Sequence, residues 1–274
     1  MPKAIRIYEH GGPDVLRWED IQLDEPEKGE VCLQLAAAGL NFIDCYHRSG
    51  LYPMDLPLTL GAEGVGVIKT LGAGVNKFSV GQRVAYSGGE IGSYAEERII
   101  SASALIPVPD SVDDHTVAAM MLKGLTVHML LYKCFPVSEG DIVLVQAAAG
   151  GVGSILCQWA NYLGATVIGT VGNDEKAEKA KANGCHHTIN YTTDSFPDRV
   201  KEITNGKGVP VVYDSTVAGA ANSSAVAQIS GETVNNVNTP SSSTITWSSG
   251  TTASVPTLSA AAKSFYAARG VSVT

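Results

Sequence analysis

Residues 142–170 read IVLVQAAAGGVGSILCQWANYLGATVIGT, and their order decides the fold. The unbroken apolar run within DIVLVQ (141–146) reads as a buried strand. A bend of small residues follows, Ala147-Ala148-Ala149-Gly150-Gly151-Val152-Gly153. Residues 150–163 then have helical spacing and stop at Gly164, and ATVIGTV (165–171) reads as a second strand. Strand, glycine bend, helix and strand together make a βαβ unit. Small residues let the backbone come close to a pyrophosphate, and the first turn of the helix offers free N–H groups and the positive end of its dipole. Ala149, Gly150, Gly151, Val152 and Gly153 are therefore the candidate diphosphate-binding residues. A tight turn without a ligand would use the same letters, but the strand–turn–helix context is the one the motif requires.

Downstream the alternation continues. Residues 174–183 read as a helix stopped by Gly184, 188–191 as a short strand, 194–204 as a helix and 209–213 as a strand. The fold class is α/β, with a doubly wound parallel sheet. An NAD site usually ends its second strand in Asp or Glu, which binds the ribose 2′-hydroxyl. Here the strand ends in Thr170-Val171-Gly172 with no acid. Asp174 and Glu175 read as the first turn of the next helix, where acids favour the dipole. Lys176 is placed to reach back toward a 2′-phosphate, and Tyr191, at the end of the third strand, beside the same group. These residues favour NADPH. The plain alternative for Lys176 is a solvated helix lysine. His186 and His187, at a loop-to-strand step, read as surface residues.

Upstream, residues 1–110 read as β-rich. Runs at 3–8, 30–38, 64–71 and 82–86 carry β-branched residues between glycines and prolines. Gly61, Gly64, Gly66, Gly72, Gly74 and Gly81 suit tight turns or barrel corners. One short helix is predicted at 42–49, ended by Gly50. A longer one follows Pro109, with Ser111 and Asp114 as a capping box and Val117, Met120, Met121 and Leu125 at helical spacing. After Ser215 the texture changes. Between Asp214 and Lys263 the only charged residue is Glu232. A disordered tail, an unusual polar domain and a stretch of provisionally identified residues all fit such a composition.

Composition sets outer bounds. The chain has 274 residues, 45% hydrophobic and 17% charged, with net charge −8 and a pI near 5.2. No lysine- or arginine-rich run occurs, which argues against nucleic acid as a partner. The opening MPKAIRIYEHGG has no signal-peptide core. The most apolar stretches are interrupted by Lys123, His128, Gln146 or Gly150, against a membrane span. Five dispersed cysteines (32, 45, 134, 157 and 185) without a C-x-x-C pair point to thiols in a reducing cytoplasm rather than a disulfide framework. Metalloprotease, EF-hand and serine-hydrolase motifs are absent.

Six segments in order carry a resemblance: AAAGLNFIDCYHRSGLY (36–52), LPLTLGAEGVGVIKTLGAGV (56–75), MLKGLTVHMLLY (121–132), VQAAAGGVG (145–153), INY (189–191) and VVYDS (211–215). Over about residues 1–215 the chain resembles the zinc-independent quinone oxidoreductases, the zeta-crystallin branch of the medium-chain dehydrogenase/reductases. That family is about fifty residues longer. The resemblance implies a GroES-like β-rich catalytic domain (1–123 and 263–274) and a Rossmann NADPH-binding domain (124–262). It also implies a homodimer, and hydride transfer from NADPH to a quinone or an activated enone.

In the zinc alcohol dehydrogenases of that superfamily, a cysteine ligand stands where this chain has Asn41, and the histidine of a G-H-E motif aligns with Ala62. Neither residue replaces a thiolate or imidazole ligand, so no metal is expected. Without a metal, hydrogen-bond donors must stabilise charge on the substrate oxygen. By family position Asn41 and Tyr46 are the candidates, with Asp44 between them and Thr126 near the nicotinamide ribose. Asn41 also suits a helix N-cap, Tyr46 an ordinary half-buried tyrosine and Thr126 a plain helix threonine. Arg269 stands near the place of a family arginine that reaches the cofactor, but the sequence around it departs from the family's, so the resemblance assigns it no role. Two other readings share the same letters: an enoyl-thioester reductase of the superfamily, and a non-catalytic NADPH-binding crystallin-like protein.

Overall fold

The computed structural model describes residues 1–214. They fall into two compact units, Met1–Leu122 and the residues from Lys123 onward. The predictions made for Arg269 and for the rest of the chain after Asp214 lie outside the described residues.

Unit one is β-rich. Its strands are β1 (Lys3–Ile7), β2 (Arg17–Asp20), β3 (Glu30–Ala38), β4 (Leu58–Thr59), β5 (Glu63–Leu71), β6 (Arg83–Ser87), β7 (Glu97–Ser101) and β8 (Ile106–Pro107). A five-stranded antiparallel sheet runs β7-β3-β5-β6-β8, and a smaller one runs β2-β1-β4. Side chains alternate across β5. Ile68 joins Val31, Leu33, Phe78, Val84 and Tyr86 on one face. Val65 joins Ala85, Val117 and Ala118 on the other. Helix α1 (Phe42–Ser49) fills the span predicted for it and is closed by Gly50 at φ 79°. The strands β2 and β7 were not foreseen.

Helix α2 (Asp114–Met129) begins in unit one and ends in unit two, where Leu130–Cys134 extend it as a wider π-type turn. Its cap is Asp113 rather than Ser111, which corrects the predicted capping box. The Asp113 carboxylate accepts from the Thr116 N–H at 2.9 Å and from its hydroxyl at 2.7 Å. By length and composition Asp114–Cys134 could cross a membrane. Val117 and Ala118 nevertheless insert into the core of unit one, and Val127 and Leu131 into that of unit two.

Unit two is the predicted α/β layer. Strands β9 (Ile142–Val145), β10 (Thr166–Val171), β11 (His187–Asn190) and β12 (Val211–Tyr213) form a parallel sheet ordered β11-β10-β9-β12. Both faces are covered, so β9 is apolar at every position. Val143 and Val145 pack with Leu156, Cys157 and Ala160 of α3 (Gly151–Tyr162) and Ala180 of α4 (Asp174–Ala182). On the opposite face Leu144 packs with Ile168, Ile189 and Val200 of α5 (Phe196–Ile203). The strand order reverses beside β9, which places a ligand crevice at its carboxyl end.

Candidate functional site

The bend that follows β9 lies at that carboxyl end. Ala147 adopts φ 51°, a left-handed conformation that costs an alanine about 1 kcal/mol. Such strain persists where the surroundings impose it, commonly at ligand sites. The Ala148 N–H is tied to Thr170 O at 3.0 Å and the Gly150 N–H to Ala147 O at 2.8 Å, so the bend is pinned to β10 and to itself. Gly150 is the extended N-cap of α3, and Gly151, Val152 and Gly153 form the first turn. The N–H groups of such a turn have no partner within the helix. Gly153 is the contact that sets the geometry: a Cβ there would lie 2.3 Å from Ala147 O and 2.9 Å from Ala148 Cα. Only glycine lets α3 start this close to the strand end.

At the end of β10 no acid is present. The Tyr191 hydroxyl lies against Gly172, 2.7 Å from where a Cβ would stand. Asn173 caps α4 by accepting from the Lys176 N–H at 2.9 Å. Lys176 itself is exposed. Asp174 accepts from the Asn190 amide at 3.2 Å, which ties that carboxylate to β11. Thr126 is half-buried in the part of α2 that belongs to unit two. His186 and His187 are exposed, and His186 Nδ1 accepts from the Val167 N–H at 3.0 Å.

In unit one the N-terminus of α1 gathers Asn41, Asp44 and Tyr46. Asn41 is the N-cap. The Asp44 carboxylate is buried and accepts through Oδ2 from the Asn41 N–H at 2.9 Å and from the Tyr94 hydroxyl at 2.6 Å. Burial and this bond to Asp44 push the Tyr94 phenol well above its ordinary value. Asp44 Oδ1 is buried with no hydrogen-bond partner among the described residues. Tyr46 is half-buried, its ring edge-on to Tyr52 with centroids 5.3 Å apart. His47, one turn from Asp44, is held below the ordinary imidazole value by burial, which Asp44 partly opposes.

Sequence reasoning missed two residues here. Glu63 is fully buried; its Oε1 accepts from the Asn41 side-chain amide at 2.7 Å and its Oε2 from the Leu122 N–H of α2 at 2.6 Å. One carboxylate thus holds the orientation of the Asn41 amide and joins β5, the start of α1 and α2. Glu63 stands in the Gly61-Ala62-Glu63 segment read for metal ligands, which was the signal available. Tyr94 carries no motif at all.

Comparison with known proteins gives the family. Residues 27–110 match the alcohol dehydrogenase GroES-like domain, and residues 151–235 match the zinc-binding dehydrogenase domain. A quinone oxidoreductase of Pseudomonas syringae superposes with a TM-score of 0.81 at 46% identity, covering 84% of this chain and 70% of that one. The chain belongs to the quinone oxidoreductases of the medium-chain dehydrogenase/reductase superfamily. An Escherichia coli quinone oxidoreductase complexed with NADPH superposes with a TM-score of 0.80 at 39% identity, over 86% of this chain and 76% of that one. A 2-haloacrylate reductase of a Burkholderia species is 48% identical over 221 residues, 78% of this chain. The chain spans 66% of the length of that relative and likewise of a Pseudomonas aeruginosa quinone oxidoreductase that is 47% identical. The α/β class with a GroES-like β-rich unit is thereby the family's own.

The second domain's family name mentions zinc, but the residues present do not fit that metal. Position 41 offers an amide already held by Glu63, and position 62 an alanine methyl. A zinc site needs thiolate, imidazole or carboxylate donors in a tetrahedral set. Among the described residues no three His, Cys, Asp or Glu side chains cluster closely enough to hold an ion.

Proposed function

We propose that this chain is an NADPH-dependent reductase of quinones or activated enones that works without zinc. The observation that carries the reading is the bend at 147–153, where a strained alanine and a glycine packed on backbone aim the first turn of α3 at the crevice. The bound nicotinamide supplies the hydride. The residues of this chain bind and orient. Ala149, Gly150, Gly151, Val152 and Gly153 cradle the diphosphate, Thr126 lies by the nicotinamide ribose, and Lys176 and Tyr191 receive the 2′-phosphate. Asn41, fixed by Glu63, and Tyr46 are the donors for the developing oxygen charge, and Asp44 fixes the turn that carries them. Solvent protonates the reduced acceptor. The five free cysteines suit a reducing cytoplasm, and a homodimer is the expected assembly.

A fluorescence titration with NADPH, followed by NADPH oxidation with 1,4-benzoquinone, a crotonyl thioester and 2-chloroacrylate, tests the reading. The last acceptor is included because one relative is a 2-haloacrylate reductase. Turnover with benzoquinone supports the quinone reading. Turnover with the thioester alone makes the chain an enoyl-thioester reductase. Tight binding without turnover makes it a binding protein.

Two further results are expected. Lys176→Glu should weaken NADPH by roughly 100-fold while leaving NADH within a few-fold, because a carboxylate would face a dianionic 2′-phosphate. Equal losses for both cofactors would remove Lys176 from the site. Prolonged treatment with a strong zinc chelator should leave the rate unchanged, since positions 41 and 62 supply no ligand; loss of activity restored by added zinc would contradict this.

A further inference from the structure

Arg98 is the buried charge that the proposed reaction does not use. It stands on the edge strand β7, opposite Leu33 in register, so its side chain lies on the Leu33 and Tyr86 face of the sheet. Only 6% of it is exposed. The guanidinium carbon sits 4.9 Å above the centre of the Tyr86 ring. Gly64, opposite Tyr86, makes room: a Cβ there would come within 2.7 Å of the Tyr86 hydroxyl. Gly92 closes the other side, its backbone so near that a Cβ would lie 3.5 Å from the guanidinium carbon.

The donors of this group are only partly used. Nη2 donates to Glu90 O at 3.2 Å. Nε and Nη1 are buried with no partner among the described residues. The acids beside Arg98 on the chain are engaged elsewhere: Glu97 pairs with Lys69 and Glu96 accepts from the Lys3 N–H. Arginine keeps its charge at every relevant pH, so it cannot relieve burial by losing a proton. Among the described residues, a ring face and one carbonyl leave most of that charge unopposed, and burying an unpaired charge is costly. Water would satisfy the donors without cancelling the charge.

We propose that Arg98, Tyr86 and the 90–92 backbone form a buried site for a compact monovalent anion, a halide or the carboxylate of a small acid. The anion accepts from Nε and Nη1 and neutralises the guanidinium beneath the loop that carries Ser93 and Tyr94. The site is independent of dinucleotide binding. Its test is the unfolding midpoint of the full chain at constant ionic strength, with sodium bromide or sodium formate replacing the bulky anion gluconate. The wild type should show a saturable rise of several degrees, with bromide and formate arms distinguishing halide from carboxylate. Arg98→Met should fold, because it replaces a buried charge with an apolar chain of similar length, and should show no such rise. A crystal of the wild type soaked in bromide should give an anomalous peak within hydrogen-bond distance of the guanidinium. An equal rise in Arg98→Met, or a guanidinium contacted by water alone in that crystal, overturns the proposal.

Discussion

Gly153→Val is expected to weaken NADPH binding roughly 100-fold and to destabilise unit two by about 3 kcal/mol, the upper end of ordinary overpacking. The cause is local and steric. The added Cβ would stand 2.3 Å from Ala147 O and 2.9 Å from Ala148 Cα, and both are backbone atoms of a bend pinned to β10. No rotamer change relieves such a clash. Helix α3 must therefore retreat from the strand end, carrying the N–H groups of its first turn with it. Displacing positioned groups by roughly 1 Å costs on the order of 100-fold. Gly151→Ala is the control. A Cβ at 151 would meet only side-chain carbons of Lys123, the nearer at 3.0 Å, and no backbone. Fluorescence titration and urea unfolding of both variants decide the matter. Wild-type NADPH affinity in Gly153→Val would falsify the placement of the diphosphate on this bend.

The contrast between the two variants also shows what the letters could and could not tell. The run of small residues at 147–153 marks a bend by composition, but which glycine is indispensable depends on what packs above it. Strands β9 (IVLV) and β10 (TVIGTV) were legible because strands covered on both faces are dominated by apolar and β-branched residues. Strands β2 (RWED) and β7 (ERIIS) were not, because edge strands carry charged residues and are defined by partners far along the chain. The start of α2 was misread by two residues because Ser111 and Asp113 both suit a cap, and only the fold selects between them. Asn41 was legible as a cap, whereas its amide partner Glu63 lies 22 positions away. Tyr94 meets Asp44 across 50 positions, and no local pattern encodes that contact.

Glu63→Ala is expected to destabilise unit one by about 3 kcal/mol, the scale of losing two hydrogen bonds to a charged acceptor. It removes the acceptor of both the Asn41 amide and the Leu122 N–H, and that acceptor is itself fully buried. Glu63→Gln separates orientation from stability. A glutamine has one acceptor oxygen where two donors converge. If that oxygen stays with Leu122, its own NH₂ faces the Asn41 NH₂, and Asn41 must turn its amide over. The fold survives, at a cost of about 1 kcal/mol for one lost bond, while the group that Asn41 presents to the acceptor in the proposed site changes from donor to acceptor. Glu63→Gln should therefore lower kcat for benzoquinone at least tenfold and leave the NADPH dissociation constant within a few-fold, since the proposed diphosphate cradle lies in the other unit. Hydrogen exchange over residues 39–47 and 114–122 should rise sharply in Glu63→Ala and only slightly in Glu63→Gln. Equal kcat in Glu63→Gln and wild type would show that the direction of the Asn41 amide is irrelevant to turnover, leaving Glu63 as a tie between β5 and α2 and nothing more.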